Sequence, residues 1–232
     1  MAQDSDEFIK NEIYSYVGEP TNTKLRIFPQ SSNFDHNDIS EGGLTFTIGN
    51  LKYGSCDAMW YKQEPFFYDS IQKQIDIQPL IALEGTDCLS RGSSGNAQYQ
   101  RFHHALGAVK NNIIGIYYLK KGTSEVSADL YYMAYKASEI EKGTYLILQD
   151  LQIVKEILEA SNDEALQREI LLRELNIMLE KWNIKFDKQY KGSWNTYAKK
   201  RNLIINDDSI IKITGRNNRN FSDSSQRAGH IA

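Results

Sequence analysis

Two acidic residues stand out because of what surrounds them. Glu84 follows Leu80, Ile81, Ala82 and Leu83 without a break, and Asp57 sits in the segment Cys56-Asp57-Ala58-Met59-Trp60-Tyr61. A carboxylate among apolar strand residues is expensive to bury. Such a group shifts its pKa or finds a cation, and a divalent metal is the economical partner for two convergent carboxylates. Plainer alternatives stand beside that reading: Glu84 as a buried acid paired to Arg101 or Lys62, and Asp57 as a strand-edge acid in a hydrogen bond. Asp69, in Phe66-Phe67-Tyr68-Asp69-Ser70, competes for the role of first acid. Glu12, on an N-terminal helix, is a further candidate metal contact.

The elements that must position these residues follow from periodicity. Residues 4–16 predict a short helix capped by Asp4 or Ser5, with Phe8, Ile9, Ile13 and Tyr16 as its apolar stripe. Residues 18–43 are turn-rich, with one short strand expected around Leu25–Phe28. Residues 44–54 alternate as a half-buried strand does, with Leu44, Phe46 and Ile48 on one face. A second strand is expected at 55–61 and a third, buried on both faces, at 78–85. A glycine- and serine-rich loop then leads into a helix from Asn96 to about residue 110. Strands are expected at 113–119 and 144–149, with helices near 127–141, 150–160 and 163–183. Leu172, Leu175, Leu179 and Trp182 form the stripe of the last helix, and a final strand is expected at 203–213. The order is that of an α/β or mixed α+β fold, a central mixed sheet flanked by helices.

The order of Asp57 on one strand, Glu84 on the next, then a helix and another strand resembles the PD-(D/E)xK nuclease superfamily, in particular its type II restriction endonuclease branch. The resemblance covers residues 44–120. In that family, neighbouring strands bring an Asp and an Asp or Glu to one metal site, and Lys usually stands two positions after the second acid. Here Asp57 matches the first acid, with Cys56 in place of the usual proline before it, and Glu84 matches the second. Thr86 stands where Lys is expected. A threonine holds water through its hydroxyl but supplies no positive charge, so Arg91, Arg101 and Lys62 become candidates for the missing cation. The segment with Gln98, Gln100 and Arg101 matches the family's helix after the second acid, where a Gln often supports the site. The resemblance implies a restriction-endonuclease-like fold and one or two Mg2+ ions bound by Asp57, Glu84 and the carbonyl of Gly85. It also implies catalytic roles for Asp57, Glu84, Thr86 and Arg101, in metal-assisted phosphodiester hydrolysis of double-stranded DNA, by a homodimer acting on a palindromic site.

Charge supports a polyanionic partner. Residues 181–232 hold 11 Lys/Arg against 4 Asp/Glu, while residues 1–180 hold 16 against 26. We therefore read 1–180 as a nuclease core with its N-terminal helix, and 181–232 as a basic DNA-contacting region of the same domain. Lys191, Lys199, Lys200 and Arg201 are candidates for phosphate neutralisation. Arg216, Asn217, Asn218 and Arg219 are of the types that read base edges, although asparagine-rich segments are also simply turns. Arg91 and Ser93, in the loop beside the site, are further DNA-contact candidates. That loop, Gly92-Ser93-Ser94-Gly95, is open to two readings, an anion site ahead of a helix or a flexible linker.

Other chemistry finds little support. Gly92-Ser93-Ser94-Gly95 lacks the Gly-Lys-Ser/Thr of a P-loop. His103 and His104 are adjacent on a helix and point about 100° apart, which is poor for joint chelation, and a hydrogen-bonding or surface role is expected for them. Two cysteines cannot build a disulfide scaffold. No stretch of about eighteen apolar residues exists, and the acidic start MAQDSDEFIK is unlike a secretory signal. The expected setting is cytoplasmic, without a membrane. The alternative to an enzyme is a non-catalytic DNA-binding protein on a nuclease-like fold, for which Thr86 is the best support.

Overall fold

The apolar run from Leu80 to Leu83 becomes the middle strand of the main sheet. A computed structural model describes residues 9–27, 45–48, 51–62, 68–69, 74–75, 79–86, 94–120 and 126–185. In chain order its strands are β1 (Thr23–Ile27), β2 (Thr45–Ile48), β3 (Leu51–Ser55), β4 (Ala58–Lys62), β5 (Tyr68–Asp69), β6 (Gln74–Ile75), β7 (Ile81–Thr86), β8 (Ile114–Leu119) and β9 (Tyr145–Leu148). Five of them form one sheet in the order β1-β4-β7-β8-β9. β4 runs antiparallel to both of its neighbours, β1 and β7, and β7, β8 and β9 run parallel. The fold is mixed α+β, with a central sheet flanked by helices.

Parallel neighbours require long crossovers. Helix α2 (Ser94–Lys110) connects β7 to β8, and α3 (Ala128–Ile140) connects β8 to β9. Covering both faces of β7 explains its unbroken apolar character, and Ile81, Ala82 and Leu83 are fully buried. Close packing of helix on sheet is visible at Gly115. A Cβ built there would lie 2.4 Å from the Ala105 carbonyl oxygen and 2.7 Å from Val109 Cγ2.

The edge strand β9 is covered by α5 (Glu164–Lys185), and the Ile147 N–H donates to Met178 Sδ at 3.2 Å. Covering an edge in this way removes a template for pairing with other chains. The intervening α4 (Leu151–Glu159) is capped by Asp150, whose side chain accepts from the Gln152 N–H at 2.9 Å. Asp163 does the same for α5 through the Leu166 N–H at 3.0 Å. Helix α5 runs without a break across residue 180. Among the described residues, no helix is long and apolar enough to cross a membrane.

Three expectations are corrected. Residues 44–54 are not one strand: β2 and β3 pair antiparallel as a hairpin, with a register shift between Phe46 and Thr47. The strands flank Gly49-Asn50, a strong turn signal in a hairpin sequence. The N-terminal segment is a π-helical stretch, Ile9–Tyr14, running into a short α1 (Ser15–Val17). It buries Ile13 and Val17, whereas Tyr16 is exposed and donates from its hydroxyl to Gln152 Oε1. On α5, Ile170, Glu174, Met178 and Trp182 form the inward row at four-residue spacing, and Leu172, two residues off that row, is half exposed. The strand expected at 203–213, the caps Asp4 and Ser5, and the basic region from residue 186 onward lie outside the described residues.

Candidate functional site

Strand pairing brings the two acids together. Ala58 pairs with Leu83 in the β4–β7 ladder, so one further step of the same register sets Asp57 opposite Glu84. Residues directly opposite on antiparallel strands share a face of the sheet. The Gly85 N–H donates to Asp57 Oδ2 at 2.7 Å, which ties the aspartate to the chain beside the glutamate. Both are buried, Asp57 with 5% and Glu84 with 3% of its surface exposed.

Helix α2 completes the cluster from above the sheet. Arg101 Nη1 donates to the Gly85 carbonyl at 2.6 Å and lies 3.3 Å from Glu84 Oε1. His104 Nδ1 lies 3.3 Å from Glu84 Oε2. Arg101 and His104 are three residues apart, so one face of the helix presents both. Their side chains, 27% and 20% exposed, form the more accessible side of the cluster.

Burial is the main force on the Glu84 carboxyl, and the negative charge of Asp57 adds to it. His104 and Arg101 act the other way, and the balance leaves Glu84 pushed up to about 7. Burial, with Glu84 and then Asp57, also drives the Cys56 thiol well above its ordinary value. Tyr117 pairs with Glu84 across β7 and β8. Its side chain is buried, and its hydroxyl finds no hydrogen-bond partner among the described residues. Burial raises the pKa of that phenol.

A divalent ion fits this donor set in one way only. Among the described residues, no group of three or more His, Cys, Asp or Glu is arranged to hold a metal, so a zinc-type site of four protein ligands has no support there. Two carboxylates suit Mg2+, which keeps several waters and takes one or two carboxylates together with substrate oxygens. Burial and the charge of Asp57, which together lift Glu84, are what such an ion would offset.

The other expected residues fall as follows. Thr86 ends β7 opposite Leu119, and its side chain lies outside the described set. Lys62 pairs with Thr23 at the far end of β4, five residues from Asp57, and does not serve the site. Asp69 lies in β5, in a separate two-strand ladder with β6. Glu12 forms an ion pair with Lys120. Gln98 does not support the acids: its Oε1 accepts from the Ser127 N–H at 3.1 Å, at the start of α3. Gln100 is exposed. Arg91, Ser93, Lys191, Lys199, Lys200, Arg201, Arg216, Asn217, Asn218 and Arg219 lie outside the described residues.

His104 is the site residue that sequence reasoning missed. Its neighbour His103 packs against Tyr53, with ring centroids 4.5 Å apart and planes tilted by 35°. The signal for His104 was its three-residue spacing from Arg101. No protein family, curated protein or solved structure matches this chain.

Proposed function

We propose that the chain is a Mg2+-dependent DNA endonuclease of the type II restriction class, on a restriction-endonuclease-like fold. The observation that carries this reading is the meeting of Asp57 and Glu84 on paired strands, with their mutual repulsion only partly offset by His104 and Arg101. A helix and a parallel strand follow directly, as in the PD-(D/E)xK pattern.

In this reading Asp57, Glu84 and the second lone pair of the Gly85 carbonyl hold the ion. When bound, the ion would polarise the scissile phosphate and acidify a water. Arg101 takes the role left open by Thr86. Its guanidinium is always charged and carries five donors. Anchored on the Gly85 carbonyl, it places fixed positive charge where the phosphate becomes more anionic on attack. Asp57 is oriented by the Gly85 N–H and Glu84 by Arg101 and His104. The basic region from residue 181 supplies phosphate contacts, the protein acts as a homodimer on a palindromic duplex site, and its setting is cytoplasmic.

The test is to incubate the full chain with phage DNA and Mg2+. Discrete fragments that vanish with EDTA, and with Glu84→Ala or Asp57→Ala, are the expected result. No cleavage by folded wild type on a broad panel of duplex DNA would sink the catalytic claim.

A second reading has its own observation. Arg101 and His104 already engage both Glu84 oxygens, as in a closed ion cluster. With Thr86 in the lysine position, this favours a non-catalytic DNA-binding protein on a nuclease-like fold. Titration calorimetry of Mn2+ against wild type and Glu84→Ala separates the two readings, because equal heats from both proteins favour the second.

A further inference from the structure

The β2–β3 hairpin is not part of the main sheet, and its contacts run to α2. Two glycines make that contact close. A Cβ on Gly107 of α2 would meet Tyr53 Cβ at 2.6 Å and Phe46 Cβ at 2.8 Å. On the hairpin side, Gly54 adopts φ +100°, a conformation that side-chain-bearing residues rarely take. A Cβ there would lie 2.3 Å from His104 Cδ2 and 2.6 Å from His104 Nε2. The imidazole therefore occupies the space that the missing side chain leaves. Tyr53, the preceding residue, packs its ring at a tilt against His103, so consecutive hairpin residues meet consecutive histidines. The opposite edge of the His104 ring, at Nδ1, reaches Glu84 Oε2.

We propose that the β2–β3 hairpin is a positioning device for the Asp57–Glu84 site. Gly54 seats the His104 ring, and His104 in turn fixes the Glu84 carboxylate in its metal-binding orientation. This rests on the reading of Asp57 and Glu84 as metal ligands. His104 is a positioning residue, acting through Glu84, and Gly54 is one step further removed. The physical requirement is general. A ligating carboxylate with a free torsion loses affinity, and the partners that orient it are worth about 10–100-fold in metal binding.

Two readouts on the full chain test the proposal: Mn2+ affinity by calorimetry, and the ring-nitrogen resonances of His104 in 15N-labelled protein. Gly54→Ala and His104→Ala should each weaken Mn2+ binding by about tenfold or more. His104→Asn should recover most of the loss, because its amide nitrogen stands in for Nδ1. The double variant Gly54→Ala/His104→Ala should bind no more weakly than His104→Ala alone, since the ring to be displaced is already gone. Additive losses in the double variant would overturn the proposal, as would wild-type affinity in folded Gly54→Ala. Should Gly54→Ala not fold, wild-type affinity in His104→Ala overturns it equally. Should wild type take up no Mn2+, the nuclease reading falls and the ring spectrum decides the positioning claim separately. Gly54→Ala must then shift the His104 Nδ1 resonance in the same direction as Glu84→Gln, and an unmoved resonance refutes the seat.

Discussion

Glu84→Gln replaces a buried carboxyl with a neutral group of the same shape, and its consequence for stability depends on pH. In the folded protein the Glu84 carboxyl sits at about 7, against an ordinary value of 4.5. The native state therefore holds the proton more tightly than the unfolded chain does. The associated stability is fully present below about pH 4.5 and is lost as the pH rises through about 7. At 1.36 kcal/mol per unit, the ionised form at pH 8 costs roughly 3 kcal/mol. Glutamine escapes that cost but gives Arg101 and His104 only one oxygen, which returns about 1 kcal/mol. The variant should thus match wild type near pH 4–5 and exceed it by roughly 2–3 kcal/mol at pH 8. For a chain of this size that is about 4–12 °C in melting temperature. Urea denaturation of both proteins in EDTA, from pH 5 to 8, measures the difference. A difference that stays flat, or a wild type that gains on the variant as pH rises, refutes the account of Glu84 as an acid strained by burial and by Asp57. Repeating the series with Mg2+ links stability to function, because a ligand of the native state stabilises by mass action. Wild type at pH 8 should recover stability with added ion, and Glu84→Gln should not.

Three further outcomes follow from the same geometry. Arg101→Ala removes the charge anchored on the Gly85 carbonyl and should lower DNA cleavage by about 100-fold or more, with Arg101→Lys recovering only part. Cleavage within a few-fold of wild type would place the missing cation elsewhere. Tyr117→Phe deletes a buried hydroxyl with no partner among the described residues, so unfolding free energy should stay within about 1 kcal/mol of wild type or rise slightly, and a loss twice that size would reveal a bond to the hydroxyl. Gly115→Ala puts a methyl 2.4 Å from the Ala105 carbonyl oxygen. Because main chain cannot yield as a side chain does, it should cost about 3 kcal/mol in a denaturant titration, and an unchanged midpoint would show that α2 packs more loosely on β8.

Much of the fold was legible because burial leaves a strong mark on composition. Strands β7, β8 and β9 are near-continuous apolar runs, as parallel strands covered on both faces must be. The helices from α2 onward announced themselves by spacing. The hairpin is hidden because the alternation of residue types continues through 44–54 while its phase changes. Phe46 and Ile48 occupy even positions, Leu51 and Tyr53 odd ones, and the change of phase falls at Gly49-Asn50. Phe46 and Tyr53 are both buried, which one uninterrupted strand with a single buried face could not achieve, since residues an odd number apart face opposite sides.

The site was legible in its charges and illegible in its partners, for a related reason. A carboxylate after four apolar residues is visible because it violates a local expectation. A histidine on a helix violates none, and its meaning depends on what the helix packs against. Arg101 and His104 converge on Glu84 because α2 lies across β7, and the His104 ring lies against a glycine fifty residues upstream, at φ +100° in the hairpin. The same dependence separates the two functional readings. Both assign Glu84 to a cluster, and they differ in whether Arg101 and His104 stand in for a cation or orient an acid that receives one. A permanent stand-in should bring the carboxyl well below its ordinary range, as a compensated ion pair does. Burial and the charge of Asp57 instead hold Glu84 up at about 7, although His104 and Arg101 pull the other way. The partners do not fully offset burial and Asp57, and a divalent ion bound by both acids would favour the ionised form.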